Sequence, residues 1–262
     1  MKVASTDFGA YRNDNKTWTD RLLQHGIRYV ECAAVNLPTD ESDLHELITY
    51  ALSHSLTVNI HAPYGENNIT STDNKCRSSS IANVKASIDL AAKYNLGVVT
   101  FHPGRLSNET DDPELIWADL LEVVSDIAKY AKEKQVYVGM ENMELRPYEL
   151  VYTIEDLNRF AHLCENNPYF GVTIDIAHYT TLGIGMPDLH ALKLPLHNVH
   201  LSQVKDGRPH FSLTHTDGQV DVDNVCRLLA DYGYNGTVVL EHGTPLWESL
   251  EMLNTAIKAL EV

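Results

Sequence analysis

Short runs of β-branched and other apolar residues alternate along the chain with longer stretches in which apolar residues recur every three or four positions. The short runs predict buried strands, and the longer stretches predict amphipathic helices that pack against them. The predicted strands cover residues 2–5, 27–31, 57–61, 97–102, 136–141, 171–175, 197–201 and 237–241. Helical patterns follow at 18–25, 42–54, 72–94, 113–134, from 153, at 188–194, 223–232 and 246–260.

Local signals support several of these helix ends. Asp112 followed by Pro113 predicts a sharp start, because proline is favoured at the first helical position. Thr153 with Asp156 three residues later predicts a capping box. Gly26 is the expected stop of the first helix.

Eight strands, each followed by a helical segment, predict a fold of the α/β class. Alternating strands and helices favour parallel pairing, and eight such units in about 250 residues are typical of a closed (β/α)8 TIM barrel. No linker or change of composition interrupts the pattern, so residues 1–262 are expected to form a single barrel domain. A doubly wound open sheet is the alternative. It usually has fewer strands and a glycine-rich phosphate turn, which this sequence lacks.

Composition narrows the class of partner. The formal net charge is −16. This disfavours a nucleic-acid partner, since such binders carry basic surfaces, and favours a small molecule or a metal as the partner. No apolar run is long enough to span a membrane, and the N-terminal segment lacks an apolar signal, so a cytoplasmic location is expected. Four scattered cysteines without a CxxC pair disfavour cysteine-bound zinc. The sequence contains no feature that decides between a monomer and a homo-oligomer.

Candidate chemistry lies at the strand ends. In a (β/α)8 barrel the catalytic groups lie at the carboxyl ends of the strands. The third to eighth strands are predicted to end on histidines and carboxylates, namely His61, His102, Glu141, Asp175, His200 and Glu241. A single such residue is more often a hydrogen-bonded group at the rim. Several carboxylates crowded together are costly without a cation, so the pattern predicts a divalent metal site.

The ligand types restrict the metal. Three carboxylates and one imidazole, from Glu141, Asp175, His200 and Glu241, suit Mn²⁺, Mg²⁺, Co²⁺ or Zn²⁺. Adding His61 and His102 shifts the preference toward zinc or manganese and makes room for a second ion, with Glu141 as the bridge.

The motifs at these strand ends resemble those of one family. "NIHAPY", "FHPG", "ENM", "TIDIAH", "VHLS…KDGR" and "VLEHG" occur in order over nearly the whole chain. They resemble the xylose-isomerase-like TIM-barrel superfamily, which includes sugar and sugar-phosphate isomerases and epimerases, inosose dehydratases and the apurinic endonucleases. The resemblance implies a (β/α)8 barrel with a metal site.

The resemblance also implies roles for single residues. Glu141, Asp175, His200 and Glu241 match the metal site shared across the superfamily, and His61 and His102 match extra ligands of the endonuclease branch. His178 and His215 match two ligands of that branch's third metal. The acidic partner of His215 is replaced by Leu213, which cannot bind zinc; His210 is a possible substitute. The resemblance thus implies one to three ions.

Two classes of function follow. The first is a metal-dependent isomerase or epimerase of a small ketose or its phosphate, in which Glu141 and Glu241 remove and return a proton. Lys205 and Arg208 are candidates to bind the substrate. Pocket walls are expected from aromatic residues, namely Phe8, Trp18, Tyr64 or Phe211.

The second class is a zinc phosphodiesterase that cuts abasic DNA, favoured by His61 and His102 and disfavoured by the acidic composition. A dehydratase acting on an inositol-derived ketone would use the same ligands as the isomerase, so the sequence barely separates the two.

Overall fold

The structure, a computed structural model, describes residues 1–6, 15–33, 41–243 and 246–260. Strands lie at Lys2–Thr6 (β1), Tyr29–Ala33 (β2), Thr57–His61 (β3), Val99–Phe101 (β4), Val138–Glu141 (β5), Phe170–Asp175 (β6), Leu196–Leu201 (β7), Gln203–Lys205 (β8), Arg208–Phe211 (β9) and Thr237–Leu240 (β10). Helices lie at Asn15–Gln24 (α1), Glu41–Ser53 (α2), Asn74–Tyr94 (α3), Pro113–Lys134 (α4), Ile154–Asn158 (α5), Ile176–Thr181 (α6), Val222–Asp231 (α7) and Leu246–Lys258 (α8).

Eight of the strands close into a parallel barrel. Their order around it is β1-β10-β7-β6-β5-β4-β3-β2, and β1 pairs in parallel with both β2 and β10. The predicted (β/α)8 fold is confirmed. The alternative of an open doubly wound sheet is wrong, because β1 has a partner on each side and leaves no edge.

The helix ends follow the local signals in the sequence. The Asp112 side chain accepts a hydrogen bond of 3.0 Å from the backbone nitrogen of Glu114 at the start of α4. Thr153 and Asp156 form a complete capping box on α5. Gly26 has a φ of 73°, a left-handed conformation that favours glycine just after a helix.

The segments around β6 and β7 differ from the prediction. The expected helix at 188–194 is only a 3₁₀ turn at Leu189–Ala191, and α6 instead begins directly after β6. The segment after β7, predicted as a loop, contains the antiparallel hairpin β8–β9. Its turn residues Asp206 and Gly207 have φ of 50° and 72°. An Asp-Gly pair is typical of such a hairpin turn, and this signal is present in the sequence.

Apolar side chains fill the layer between the barrel and its helices, as in other barrels of this kind. Trp18 is 1% exposed and belongs to this layer, so it does not wall a pocket as predicted. All four cysteines are thiols rather than disulfides. Among the described helices, none has the length and apolarity that a membrane span requires.

Polar side chains occupy the barrel interior beneath the strand ends. They come from six strands and are Glu31, Asn59, Thr100, Thr173, Asn198 and Thr237, all of them buried. Thr100 and Thr173 share a hydrogen bond of 2.9 Å. Asn198 donates to Glu31 Oε2 at 2.8 Å and accepts from Thr237 at 2.6 Å. This network forms a hydrogen-bonded floor below the candidate site.

Gly139 in β5 lies two residues before Glu141 and faces the same floor. A Cβ atom added there would lie 2.3 Å from Thr173 Oγ1 and 3.0 Å from the Thr173 backbone nitrogen. We expect Gly139→Ala to lower the free energy of unfolding by about 1–3 kcal/mol, because the backbone atom cannot move aside easily. Urea unfolding measures the change. Gly243→Ala is the control, since no described atom lies within 4 Å of its added Cβ; equal stability of the two variants would contradict the prediction.

Candidate metal centre

The carboxyl ends of the strands bring six predicted residues together. His61, Glu141 and Asp175 are the last residues of β3, β5 and β6. His200 is the penultimate residue of β7, while His102 and Glu241 directly follow β4 and β10. Five of the six are buried, and His102 is partly exposed. Parallel strands place these side chains at one end of the barrel, where catalytic groups of this fold lie.

Four of these residues form a compact cluster. Glu141, Asp175, His200 and Glu241 each offer a ligand atom, and these atoms lie within 4.8 Å of one another. His200 Nδ1 lies 3.0 Å from Glu141 Oε1 and 2.8 Å from Glu241 Oε2. We call this set the four-residue cluster.

Three carboxylate oxygens in the four-residue cluster lack hydrogen bonds. Glu141 Oε2, Asp175 Oδ2 and Glu241 Oε2 are buried without a well-aligned hydrogen bond from any described residue, although imidazole nitrogens lie 2.8–3.8 Å from them. Buried charged oxygens are costly unless a donor or a cation compensates them. Three such oxygens beside an imidazole match the donor set of a divalent cation. The residues present therefore fit a metal ion.

His61 and His102 face Glu141 from the opposite side. His61 Nε2 lies 3.3 Å and His102 Nε2 lies 3.2 Å from Glu141 Oε2, and the three residues form a second group with metal-ligand spacing. His61 Nδ1 donates to the Ala62 carbonyl at 2.8 Å. In its neutral form the His61 ring would present a lone pair to a carboxylate oxygen, so a proton or a metal between the two atoms stabilises the contact.

The charges of the cluster shift the pKa values of its members strongly. Burial alone would raise the pKa of Glu141, but the charge of His200 and the contacts with His102 and His61 hold it well below its ordinary value. Burial likewise opposes the charged form of His200, yet Glu31, Glu241 and Glu141 raise its pKa well above the ordinary value.

His61 and His102, the two histidines that face Glu141, differ in the direction of their pKa shifts. Burial lowers the pKa of His61, but Glu141 outweighs it and raises that pKa to about 9. Burial lowers the pKa of His102, and its contact with Glu141 only partly offsets this.

The pKa of Asp175 is raised. Burial is the largest cause, and the charges of Glu241 and Glu141 raise the pKa further, while the charge of His178 lowers it. A carboxylate that resists ionisation among its neighbours is a place where a cation is stabilising.

Glu31 on β2 belongs to the site and was missed. Its Oε1 lies 2.9 Å from His200 Nε2, and both side chains are fully buried. A carboxylate behind a metal-ligating histidine fixes the tautomer and orientation of the ring. The signal was available, because the second predicted strand also ends on a carboxylate, at Glu31.

We expect Glu31→Gln to weaken divalent-metal binding by roughly 10- to 100-fold, the usual effect of removing such a partner. The neutral amide no longer stabilises the proton on His200 Nε2, so Nδ1 becomes a poorer ligand. Competition with a chromophoric chelator measures the affinity. Glu46→Gln, an exposed change on α2, is the matched control. An unchanged affinity in Glu31→Gln would show that Glu31 does not orient His200.

Asn142 and Asp175 connect the ends of β5 and β6. The Asn142 side chain accepts from the Asp175 backbone nitrogen at 2.8 Å and donates to the Asp175 carbonyl at 3.0 Å. Asp175 Oδ1 in turn accepts from the His178 backbone nitrogen at 2.7 Å, which caps α6. Asp175 is thus held on both sides, and only its Oδ2 remains for a ligand.

A cavity of ≈260 Å³ opens above the cluster. This is close to the lower end of the range of about 300–1,000 Å³ for small-molecule sites. Its lining residues are Tyr64, His102, Glu144, Arg146, His178, His210 and Glu241. Tyr64 was predicted as a pocket wall, whereas Glu144 and Arg146, in the segment after β5, were missed. Strand periodicity carries no information on how that segment folds.

Several predicted site residues lie elsewhere. Lys205 and Arg208 flank the turn of the β8–β9 hairpin, and neither lines the cavity. His215 lines a separate cleft and contacts the Phe211 ring at 5.6 Å between centroids. His178, by contrast, is buried beside the four-residue cluster, with Nε2 3.8 Å from Asp175 Oδ2. Phe8 lies outside the described residues.

The chain resembles known proteins along its whole length. The family profile described as "Xylose isomerase-like TIM barrel" matches residues 19–261. The curated relatives that it matches are uncharacterized proteins of Methanocaldococcus jannaschii; one is 25% identical over 185 residues, which are 70% of this chain. The chain spans about two thirds of the length of these relatives.

Solved structures share the fold. A D-tagatose 3-epimerase-like protein superposes with a TM-score of 0.83 at 18% identity, covering 100% of this chain and 98% of that one. D-psicose 3-epimerase from Clostridium cellulolyticum H10, solved with D-tagatose, has a TM-score of 0.73 at 21% identity, covering 99% and 96%. The IOLI protein with a bound zinc atom has a TM-score of 0.74 at 19% identity, covering 99% and 98%.

Proposed function

Because the chain belongs to the xylose isomerase-like TIM barrel family, we propose that it is a divalent-metal-dependent isomerase or epimerase of a small ketose or sugar phosphate. The observation that carries this proposal is the four-residue cluster, whose three buried carboxylate oxygens without hydrogen bonds lie at the base of a cavity of small-molecule size. The sugar epimerases among the structures with this fold support the choice of substrate class.

Glu141, Asp175, His200 and Glu241 would hold the ion. A divalent cation there would supply Lewis-acid polarisation of a carbonyl and would stabilise the enediolate that forms beside it. Zinc in a structure of the same fold makes Zn²⁺ a natural first choice, and manganese, cobalt and magnesium suit the same donors.

Glu241 and Glu141 would remove a proton from a carbon of the substrate and return it. Glu241 lines the cavity, and Glu141 lies beneath it, 3.2 Å from His102, which also lines the cavity. Burial would raise the pKa of Glu241, but His200 outweighs burial and lowers it far below the ordinary value. Both glutamates are therefore carboxylates near pH 7 and can accept a proton from carbon. The protonated glutamate then becomes the acid that returns it.

Arg146 and Tyr64 would bind the rest of the substrate. Both line the cavity, and Arg146 is held by Glu144, with Nε 2.9 Å from Oε1. An arginine that is already oriented presents its remaining donors to hydroxyl or phosphate oxygens. We propose that Arg146 binds the substrate, the role predicted for Lys205 and Arg208, because those two residues lie at the hairpin turn and do not line the cavity.

A zinc phosphodiesterase acting on abasic DNA is the second candidate. The His61–His102–Glu141 group favours it, since a second ion bridged by Glu141 would form a two-metal centre. The net charge of −16 disfavours it, as does a cavity in which one of seven described lining residues is a lysine or arginine.

The test is solvent exchange on candidate ketoses. The metal-loaded protein is incubated in D₂O with ketohexoses, ketopentoses and their phosphates, and the products are followed by NMR. We expect an epimer or aldose that carries deuterium at the reacting carbon, and we expect EDTA to abolish it. Loss of water without epimer would indicate a dehydratase. Nicking of an abasic duplex with no exchange on any ketose would overturn the proposal in favour of the phosphodiesterase.

A further inference from the structure

The segment that follows β5 folds into a closed loop beside the cavity. The Met143 backbone nitrogen donates to the Val151 carbonyl at 2.8 Å and closes the loop. Tyr148 has a φ of 77°, a conformation uncommon for residues other than glycine, and its carbonyl accepts from the Leu106 backbone nitrogen at 2.9 Å. The turn at Tyr148 brings Glu149 back toward the first half of the loop.

Arg146 lies between two carboxylates of this loop. Its Nε atom lies 2.9 Å from Glu144 Oε1, and its Nη2 atom lies 3.5 Å from Glu149 Oε1. The Arg146 side chain is 52% exposed, whereas the Glu144 and Glu149 side chains are 14% and 4% exposed. Tyr152 Oη donates to the Arg146 carbonyl at 2.9 Å, which fixes the backbone there. We call Glu144, Arg146 and Glu149 the charge clamp.

The charge clamp compensates Arg146 within the protein. Burial raises the pKa of Glu149, and the charges of Arg146 and Arg105 oppose that rise, so the arginines favour the ionised carboxylate. A phosphate group that took Arg146 as its own partner would leave Glu149 buried beside a cation it no longer shares, which is strongly destabilising. With two carboxylates and one guanidinium, the clamp carries a net negative charge.

The described lining of the cavity contains no arginine or lysine outside the charge clamp, and Glu241 adds a further carboxylate to it. Arg105, whose charge also acts on Glu149, has its guanidinium engaged elsewhere. It donates from Nη2 to the Gly65 carbonyl at 2.8 Å and from Nη1 to the Asn67 carbonyl at 3.3 Å. The described residues therefore offer no free guanidinium to a phosphate in the cavity.

The other basic side chains of the lining are histidines, and two of them face carboxylates. His102 Nε2 lies 3.2 Å from Glu141 Oε2, and His178 Nε2 lies 3.8 Å from Asp175 Oδ2. A proton on either ring is compensated by its carboxylate rather than by an anion in the cavity. A phosphate dianion that entered would thus meet like charge, which opposes binding.

Hydroxyl groups, by contrast, fit the charge clamp. A hydroxyl oxygen accepts from a guanidinium while its proton is donated to a carboxylate, and Arg146 and Glu144 line the cavity side by side. We propose that Glu144 and Glu149 restrict Arg146 to sugar hydroxyls, so that the substrate is an unphosphorylated ketose. Glu149 is not among the described residues that line the cavity, so it is a positioning residue that acts through Arg146. This substrate class rests on the proposed function and narrows it.

Kinetics on a ketose and its phosphate test the charge clamp. We expect the metal-loaded, unchanged protein to use a free ketohexose with a kcat/KM roughly 100-fold above that for the same sugar with a terminal phosphate. Glu149→Gln and Glu144→Gln should each reduce this ratio, mainly by lowering the KM for the phosphate. Glu155→Gln, an exposed change on α5, should leave the ratio as it is. A preference of the unchanged protein for the phosphate, or one ratio shared by all of these proteins, would overturn the inference.

Binding of inorganic sulfate, a dianion, tests the charge clamp without turnover. Calorimetry of the metal-loaded proteins should show roughly tenfold tighter sulfate binding to Glu149→Gln than to the unchanged protein. Adding Arg146→Gln to Glu149→Gln should remove this gain. A purely structural role of Glu149 would not create an anion site that depends on Arg146. Glu144→Gln provides the same measurement if Glu149→Gln does not fold.

The two measurements separate the charge clamp from the proposed function. If no ketose is turned over, the proposed function fails, and sulfate binding alone decides the role of the clamp. A gain in Glu149→Gln that requires Arg146 then supports charge selection by the clamp. Equal sulfate affinity in Glu149→Gln, Glu144→Gln and the unchanged protein overturns it, as does sulfate binding to the unchanged protein that Arg146→Gln abolishes.

Discussion

Glu141→Gln is expected to reduce turnover of a ketose substrate by roughly 10²–10⁴-fold through the lost proton transfer alone, and further through loss of the ion. Glu141 contacts His61, His102 and His200 at 3.0–3.3 Å, so one carboxylate serves two ligand groups. The amide has nearly the same volume but no charge. Steady-state kinetics and zinc content, measured on the same preparation, give the two losses separately.

The control for this substitution is Glu109→Gln, which removes the same charge at an exposed position. It should leave both kinetics and metal content unchanged. Circular dichroism establishes whether the Glu141→Gln barrel is folded. A folded Glu141→Gln protein with full activity would eliminate Glu141 as a proton carrier and as a required ligand.

Removal of the metal is expected to lower the thermal midpoint by roughly 5–15 °C. Three carboxylates, Glu141, Asp175 and Glu241, are buried within one cluster, and without a cation only the histidines offset their repulsion. A ligand at 100 to 1,000 times its Kd stabilises the folded state by about 2.7–4.1 kcal/mol. For a chain of this size, each kcal/mol of change in the free energy of unfolding shifts the thermal midpoint by about 2–4 °C.

Differential scanning calorimetry of EDTA-treated protein, with and without added Zn²⁺ or Mn²⁺, measures the shift. Asp175→Asn is expected to lose most of the metal-dependent rise in the thermal midpoint, because it removes one of the four proposed ligands. Identical midpoints with chelator and with saturating metal would be incompatible with a cation in the four-residue cluster.

The sequence predicted the site best at the strand ends, because the strand order of a closed barrel determines which side chains are neighbours. Parallel strands of a closed barrel all end at the same face, so residues at the ends of β5 and β6 are neighbours although Glu141 and Asp175 are 34 positions apart in the chain. Strand periodicity also predicted each of these residues to within one position of a strand end. The structure accordingly brings Glu141, Asp175, His200 and Glu241 together.

Positions outside the strands were less predictable. The segment after β7 turns back as a hairpin, which directs Arg208 away from the cavity and places His210, rather than His215, beside His178. The segment after β5 carries Arg146 into the cavity. Hydrophobic periodicity describes which face of an element is buried, but it does not describe the path of a connecting segment.

Glu31 was missed for a different reason. It lies on the barrel interior behind His200 rather than on the rim. A glutamate side chain in a barrel interior is unusual, because apolar residues typically fill it. The sequence shows a carboxylate at the predicted end of the second strand, but its contact with His200 is visible only in three dimensions.

The direct junction of β6 and α6 has a consequence for how this barrel can diversify. Asp175 ends the strand and also caps the helix that carries His178. One inserted residue between them would rotate His178 by about 100° around the helix axis, away from its partners. Length changes are therefore excluded at this junction, whereas the segments after β5 and β7 can vary in length without moving Asp175. New substrate preferences in such a lineage would arise in those two segments, while the β6–α6 junction stays constant.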